Sequence, residues 1–220
     1  MRYSLIFSTI SLHQMAGGLE KNIILLANYF AENQYDVNII TFDLTEAESF
    51  YPIHPQVCWH RIGSSSVHSP ISFMSRLKLM NKIRYNVNKT HNPIIVCFHH
   101  GILARFILST IFLKKIIICS ERNSLSIYDH IQQSKWNLNF IFLSFVNRIS
   151  VQFPEYIQNY PFWVRKRIVV IPNPVKPHRI VAKPDVANED NRFTLLTVGR
   201  LCSQKQQHIL IESFIMLAEK

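Results

Sequence analysis

Two adjacent glycines, Gly17 and Gly18, follow the first apolar run of the chain and precede a segment of helical period. In an open α/β sheet, ligands bind beyond the carboxyl ends of the strands. The first N–H groups of the following helix are unpaired and carry a partial positive charge, so they suit a phosphate group. The spacing is not GxGxxG, so a dinucleotide fingerprint is absent. A flexible strand-to-helix turn without a ligand is the alternative.

Polar side chains also follow two later apolar runs. His99 and His100 come after "PIIVCF", and Glu121, Arg122 and Asn123 come after "KIIICS". A histidine at a strand end can act as a general base or bind a hydroxyl-rich ligand. Arginine can fork onto a phosphate, and glutamate can accept hydrogen bonds from sugar hydroxyls. We therefore take His99, His100 and Glu121 as catalytic candidates. The alternatives are a capping histidine and a Glu–Arg surface pair.

A basic pair lies near the end of the sequence. Arg200 follows the apolar run "RFTLLTVG", and Lys205 opens "KQQHILIESFIMLAEK". Two cations five residues apart at a strand–turn–helix junction can converge on a diphosphate together with the helix N-terminus. Taken alone, these two residues are weak evidence for a diphosphate site.

Other common site chemistries are absent from the sequence. It contains no serine-nucleophile elbow, zinc spacing or P-loop, and we expect neither a metal nor a bound cofactor. The four cysteines lack CxxC or CxxH spacing and lie mostly in apolar runs, which predicts small buried side chains in a reduced compartment. The aromatic residues also fall mostly in apolar runs, which argues against a nucleic-acid partner.

The elements that must position these residues form an alternating pattern over residues 1–172. Apolar runs of strand length, such as "YSLIFST" and "YDVNIITFD", alternate with longer segments of helical period, such as "LEKNIILLANYFAENQ". This pattern predicts an α/β domain with a Rossmann-like, doubly wound parallel sheet. In the first helix the predicted inward face consists of Leu19, Ile23, Leu26, Ala27 and Phe30.

The composition and periodicity of the sequence change after residue 172. Residues 173–191 are rich in proline and charge and lack a clear period, so we interpret them as a hinge or linker. Residues 192–220 predict one strand and one helix, the beginning of a second, incomplete Rossmann-like domain. The predicted inward residues of that helix are Ile209, Leu210, Phe214 and Leu217.

The charge of the chain is strongly basic and unevenly distributed. The net charge is +10, and no acidic residue lies between Glu48 and Glu121, where nine lysines and arginines occur. Such a surface attracts phosphates on a ligand or on an anionic membrane, and a solvated face without a partner is the alternative. No uninterrupted apolar run reaches the roughly 20 residues of a spanning helix. We therefore expect a cytoplasmic protein that can bind the cytoplasmic membrane face peripherally.

Three stretches together resemble the retaining GT-B glycosyltransferases of family 4 (glycosyl transferases group 1). "GGLEKNIILLANYFAENQYDVNIITFD" is similar to the family's first βαβ unit, "VVIPNPV" to its interdomain hinge, and "LLTVGRLCSQKQQHILIESFIMLAEK" to the start of its donor-binding domain. "SERN" resembles the subgroup that adds hexoses or hexosamines to polyprenyl-diphosphate or surface-polysaccharide acceptors.

The resemblance implies an N-terminal acceptor-binding domain and a C-terminal domain that binds a nucleotide-diphosphate sugar. Gly17, Gly18, Arg200 and Lys205 match the residues that bind the donor diphosphate, and no metal is implied. The acceptor-side residues would be His100, Glu121, Arg122 and Asn123.

Two departures from the family pattern qualify this implication. Gln206 stands where the family usually has glycine, and the chain ends before the family's Glu-x7-Glu element. We therefore expect this chain alone to be inactive as a transferase of a sugar to a polysaccharide or lipid-linked glycan. Two alternatives remain: a non-catalytic basic module that binds anionic membranes, and a nucleotide-binding regulator that shares the GT-B fold.

Overall fold

The computed structural model describes residues 3–63, 72–127, 138–174, 196–199, 201 and 205–218. The chain divides into two compact units, residues 1–175 and 176–220. Most of the predicted linker, residues 175–191, lies outside the described residues.

The first unit is built on a sheet of seven strands. They are β1 (Ser4–Thr9), β2 (Asp36–Thr41), β3 (Cys58–Arg61), β4 (Pro93–Cys97), β5 (Ile116–Ser120), β6 (Arg148–Val151) and β7 (Ile168–Val170). Every neighbouring pair is parallel, and the order is β3-β2-β1-β4-β5-β6-β7. The predicted Rossmann-like parallel sheet is confirmed.

Helices lie in most of the connections between the parallel strands, but residues 42–57, between β2 and β3, contain none. The described α-helices of this unit are α1 (Gly18–Glu32), α2 (Phe73–Lys89), α3 (His100–Ser109), α4 (Leu138–Leu143) and α5 (Phe162–Arg165). Two short 3₁₀ helices span Leu125–Ile127 and Pro154–Asn159. Helix α2 begins after Ser72, whose hydroxyl accepts a hydrogen bond from the Ser75 backbone N–H. This cap places the start of α2.

Alternate residues of the strands serve two apolar layers. Leu5 and Phe7 of β1 pack with α1 on one face of the sheet, whereas Ile6 packs with residues of α2 and α3 on the other. Strand side chains point alternately to the two faces, so a continuous apolar run such as β1 is required when both faces are covered.

The inward face of α1 differs from the predicted one. Ile23 and Ala27 are buried as expected, but Ile24 and Ala31 complete the buried stripe, while Leu19, Leu26 and Phe30 are only partly buried. The two small alanines allow the helix to lie close to the sheet. Phe30 instead packs at the margin of this apolar layer, where its ring centroid lies 6.2 Å from that of Phe7.

In the second unit, the structure describes a single helix, α6 (Gln207–Ala218). The helix is where it was predicted, but its predicted inward residues are not buried: Ile209, Phe214 and Leu217 are exposed and Leu210 is only partly covered. The described residues of this unit contain no second element against which the helix could pack. Residues 196–199 form no strand, contrary to the prediction, and residues 192–195 lie outside the described part.

No helix in the described part of the chain is long and apolar enough to cross a bilayer.

Of the cysteines in the described ranges, Cys97 and Cys119 are buried, but Cys58 is exposed, which corrects the prediction for that residue. Cys58 opens the edge strand β3, which has a neighbouring strand on one side alone within the sheet. Burial raises the pKa of the Cys97 thiol, and burial together with the Glu121 carboxylate raises the pKa of the Cys119 thiol. Both buried thiols are therefore unreactive.

We expect iodoacetamide to alkylate Cys58 in the native protein while Cys97 and Cys119 react only after denaturation. Peptide mapping by mass spectrometry at increasing reaction times measures each residue separately, including Cys202, whose position the structure does not describe. A denatured sample is the control, and native labelling of Cys97 or Cys119 as fast as Cys58 would contradict the packing of β4 and β5.

Candidate functional site

A pocket of about 550 Å³ lies at the carboxyl ends of the central strands. Its lining comes from the segments that follow β1, β2 and β4, including Ile10, Leu44 and Phe98. The strand order reverses between β1 and β4, since β2 lies on one side of β1 and β4 on the other. In open α/β sheets, ligands bind at such a topological switch point.

Asp43 anchors the loop that follows β1. Its carboxylate accepts a hydrogen bond from the Leu12 backbone N–H at 2.8 Å and a second from the Ser11 hydroxyl. Its own carbonyl accepts from the Gly63 N–H at 2.8 Å. Asp43 is buried, and a buried carboxylate needs such donors because burial removes its hydration. Asp43 was not among the predicted site residues, although it is the last residue of the predicted strand segment "YDVNIITFD".

The outer side of the same loop is held by residues 48–51. The Glu48 backbone N–H donates to Nδ1 of His13 at 3.1 Å, and the Gln14 N–H donates to the Glu48 carbonyl at 2.9 Å. The Tyr51 hydroxyl donates to the Ala16 carbonyl at 3.0 Å. The pocket wall from residue 10 to residue 17 is therefore fixed by the segment after β2.

The positions of Gly17 and Gly18 differ in the space that they leave for a side chain. Gly17 precedes α1, and a Cβ there would lie 2.2 Å from Oε2 of Glu20, so a side chain would displace that carboxylate. A Cβ on Gly18 would meet nothing within 4 Å. Glu20 is buried and lines the pocket. An anion bound at this loop would therefore meet a carboxylate as well as the helix N-terminus.

His99 lies in the pocket wall and has a strained backbone. Its φ of 150° and ψ of 135° fall in a region that residues with a side chain rarely adopt. Its Nδ1 accepts a hydrogen bond from the Gly101 N–H at 2.9 Å, which caps α3. In a neutral imidazole, an accepting Nδ1 leaves the proton on Nε2.

His13, which also lines the pocket, is arranged in the same way, since its Nδ1 accepts from Glu48. The geometry therefore favours hydrogen-bond donation over general-base catalysis for both rings.

His100 and Glu121 are brought together beneath the pocket wall. Nδ1 of His100 lies 2.9 Å from Oε1 of Glu121, and the same oxygen accepts from the His100 backbone N–H. Both side chains are 1% exposed. Oε1 of Glu121 also lies 3.9 Å from Sγ of Cys119. The pair joins the loops after β4 and β5 and supports the strained backbone of His99.

Arg122 lies beside the pocket rather than in its lining. Its guanidinium carbon is 5.3 Å from the ring centroid of Phe98, and Nη1 donates to Oδ1 of Asn173 at 2.8 Å. Its Nε is a buried donor without a partner among the described residues. Burial lowers the pKa of Arg122, but a guanidinium stays charged at neutral pH. Asn123 is exposed next to it.

The predicted donor-side residues of the second unit are described only in part. Arg200 lies outside the described residues, and Lys205 is exposed just before α6. Gln206 has a φ of 48°, in the left-handed region that favours glycine. Glutamine therefore holds a backbone conformation here that glycine would adopt at lower cost.

In the described part of the chain, no three histidine, cysteine or acidic side chains are grouped so that they could hold a metal ion.

Comparisons with known proteins agree on the fold. No protein-family model and no curated protein sequence matches the chain. Sucrose-phosphate synthase from Thermosynechococcus elongatus is similar in structure, with a TM-score of 0.58 at 14% identity over 78% of this chain and 48% of that one. The apo lipopolysaccharide outer core galactosyltransferase WaaB gives 0.59 at 14% identity over 87% of this chain and 50% of that one.

Anabaena HepE, solved with UDP and glucose, has a TM-score of 0.54 at 11% identity over 77% of this chain and 44% of that one. The chain thus spans about half the length of these proteins. The likeness supports the GT-B fold, and at these identities it shows the fold alone.

We expect Asp43→Ala to destabilise the first unit by about 1–3 kcal/mol, because it removes the acceptor of a buried backbone N–H and of a hydroxyl. Urea unfolding measures the change. Asp43→Asn keeps one acceptor oxygen and should cost less. Asp36→Ala, at the first residue of β2, is the matched control, since Asp36 is exposed, and it should change the free energy of unfolding by less than about 0.5 kcal/mol. Equal effects of Asp43→Ala and Asp36→Ala would show that Asp43 does not anchor the loop.

Gln206→Gly should stabilise the turn before α6, because a left-handed conformation costs a residue with a side chain about 1–2 kcal/mol. The Ile209 and Leu210 N–H groups donate to the Gln206 carbonyl. Their hydrogen exchange should slow by about fivefold or more, as measured by NMR. Gln207→Gly, at the first residue of the helix, is the opposite control and should accelerate exchange. Unchanged or faster exchange in Gln206→Gly would refute the strain.

Proposed function

We propose that this chain is the acceptor-binding part of a retaining glycosyltransferase of family 4, which transfers a hexose or hexosamine from a nucleotide-diphosphate sugar to a glycan. The observation that carries the proposal is the pocket at the β1–β4 switch point, in a fold shared with glycosyltransferases. One of the similar structures contains UDP-glucose, which supports a nucleotide sugar as the donor.

The lining of the pocket suits a sugar ring. Ile10, Leu44 and Phe98 supply apolar surface, and His13 and His99 supply imidazole N–H groups. A sugar has apolar C–H faces and a rim of hydroxyls, and sites that combine apolar walls with a few polar groups bind such ligands. Glu46 adds an exposed carboxylate that can accept from a hydroxyl.

The same carboxylates indicate which part of the acceptor enters the pocket. Glu20 and Glu46 both line it, and like charges repel strongly where solvent is restricted. A neutral sugar therefore fits the pocket better than a phosphate does. We place the phosphates of a polyprenyl-diphosphate-linked acceptor outside the pocket, at Arg122 with Asn123 beside it. The support for this placement is the buried Nε of Arg122 described above.

On the donor side we propose that Gly17, Gly18, Arg200 and Lys205 contribute to diphosphate binding, as the resemblance implies. The Glu20 carboxylate against Gly17 opposes an anion there. Basic side chains and helix N-termini can neutralise a leaving diphosphate without a metal, so we propose a metal-independent reaction in the cytoplasm.

Within this reaction the candidate residues have different roles. His99 would donate a hydrogen bond to a substrate oxygen, because its Nδ1 is engaged by Gly101. His100 and Glu121 are buried and would position His99 rather than contact the substrate. Of the three catalytic candidates, His99 is therefore the one whose side chain can reach a ligand in the pocket.

The test is a titration of the intact chain, followed by ¹H–¹⁵N NMR, with a short-chain polyprenyl-diphosphate-linked N-acetylglucosamine and with UDP-glucose. The lipid-linked sugar should shift the backbone resonances of Ala47, Phe98 and His99. Arg122→Ala should weaken its binding by about ten- to a hundredfold, because a charge-assisted hydrogen bond contributes about 1.5–3 kcal/mol. The affinity of the same sugar without its diphosphate should be unaffected.

Arg148→Ala is the matched control, because Arg148 is exposed at the opposite end of a neighbouring strand and contacts the Asn147 carbonyl. It should leave both affinities unchanged. Shifts confined to residues away from the pocket, or equal losses in the two arginine variants, would contradict the proposed acceptor site.

A further inference from the structure

The first six residues of α2 present an unusual surface. Phe73, Met74 and Leu77 are 73%, 63% and 40% exposed, and Arg76 and Lys78 are exposed between and beside them. Six residues of helix rise about 9 Å, so these side chains form one compact tip. Helix α2 buries Leu79, Ile83 and Val87 against the sheet, so the tip lies outside its packed stripe. We call these five residues the α2 tip.

A further cation adjoins the α2 tip from the neighbouring helix. The Arg105 guanidinium of α3 lies over the ring of Phe42 at 4.9 Å. Burial lowers the pKa of Arg105, and the charge of Arg76 lowers it further. Two arginines are thus brought close together, and like charges at short range favour binding of an anion between or across them.

Nothing in the described part of the chain neutralises this positive surface. The only ion pair among the described residues joins His100 and Glu121, which are buried. The sequence has no aspartate or glutamate between Glu48 and Glu121, so neither α2 nor α3 carries an acidic residue. The charge of the α2 tip is therefore available to a partner outside the unit.

The mixture of side chains selects the class of partner. Nucleic acids attract cations but offer no apolar phase for aliphatic side chains, whereas a bilayer offers anionic headgroups above hydrocarbon. Beyond Leu77, the exposed face of α2 carries mainly polar and basic side chains, such as Asn81, Arg84 and Lys89. Tyr85 of α2 is also exposed, with Nζ of Lys89 4.2 Å from its ring centroid. The exposed phenylalanine, methionine and leucine side chains of α2 all lie at its first six residues, as insertion of a tip into the headgroup region requires.

We propose that the α2 tip, with Arg105, docks the protein on an anionic lipid bilayer, with Phe73, Met74 and Leu77 inserted and the cations at the phosphate level. This surface is separate from the pocket, and the proposal stands whether or not the chain takes part in sugar transfer.

The orientation that follows is specific. Arg105 lies on Phe42, which directly follows β2 and precedes the pocket residues Asp43 and Leu44. The α2 tip and the pocket therefore lie at the same carboxyl edge of the sheet. Docking through the tip brings that edge towards the membrane, where a lipid-linked ligand would be located.

The experiment is co-sedimentation of the intact chain with vesicles of phosphatidylcholine alone and of an equimolar mixture of phosphatidylcholine and phosphatidylglycerol. The wild type should bind the anionic vesicles at least about tenfold more tightly, since each basic residue near an anionic surface contributes about fivefold in affinity. Equal binding to both vesicles, or to neither, would overturn the proposal.

Two pairs of variants locate the surface. Arg76→Glu with Lys78→Glu should weaken binding by at least about 30-fold, whereas Lys89→Glu with Lys114→Glu, an equal change of charge at the opposite edge, should weaken it by less than about threefold. Phe73→Ser with Leu77→Ser should also release the protein. Leu108→Ser with Phe112→Ser, which alters exposed apolar residues elsewhere, should not.

Circular dichroism and thermal unfolding of each variant confirm that it is folded. Equal losses in the tip and control charge variants would show diffuse attraction and refute a specific surface. Retention of vesicle binding by Phe73→Ser with Leu77→Ser would refute insertion. Competition by single-stranded DNA, together with an absence of vesicle binding, would instead identify a nucleic-acid surface.

Discussion

The reversal of strand order at β1 is the constraint on which the rest of this structure depends. Because β2 and β4 pair with opposite sides of β1, the loops after these three strands diverge at the carboxyl edge and leave a crevice. A parallel sheet is covered by helices on both faces, which buries β1 along its whole length. The same packing that stabilises the fold therefore creates the pocket.

The walls of the pocket are held by a small number of buried polar contacts. Asp43 fixes the loop after β1, and the Glu121–His100 pair fixes the turn after β4. Each contact satisfies backbone N–H groups that would otherwise be costly to bury. The strained backbone of His99 persists because its neighbours on both sides are tied down, one by the sheet and the other by Glu121.

Charge separates the two surfaces at this edge. The pocket contains carboxylates and imidazole rings, which suits hydroxyls, whereas every charged side chain of the α2 tip, like Arg105 beside it, is basic and suits phosphates. A lipid-linked glycan carries both chemistries in one molecule, with sugar hydroxyls joined to a phosphate near the membrane. The two surfaces at this edge therefore favour different chemical groups.

The α/β class, the parallel sheet and the approximate places of its elements follow from the sequence alone, because strand-length apolar runs and helical periods are local properties. The positions of His99, Glu121 and Arg122 at strand ends follow for the same reason. Only the tertiary structure decided that Glu121 is buried against His100, that Asp43 anchors the first loop, and that Cys58 and the apolar residues of α6 are exposed. These features depend on which strands are neighbours and which elements supply a packing partner, and neither is encoded in local periodicity.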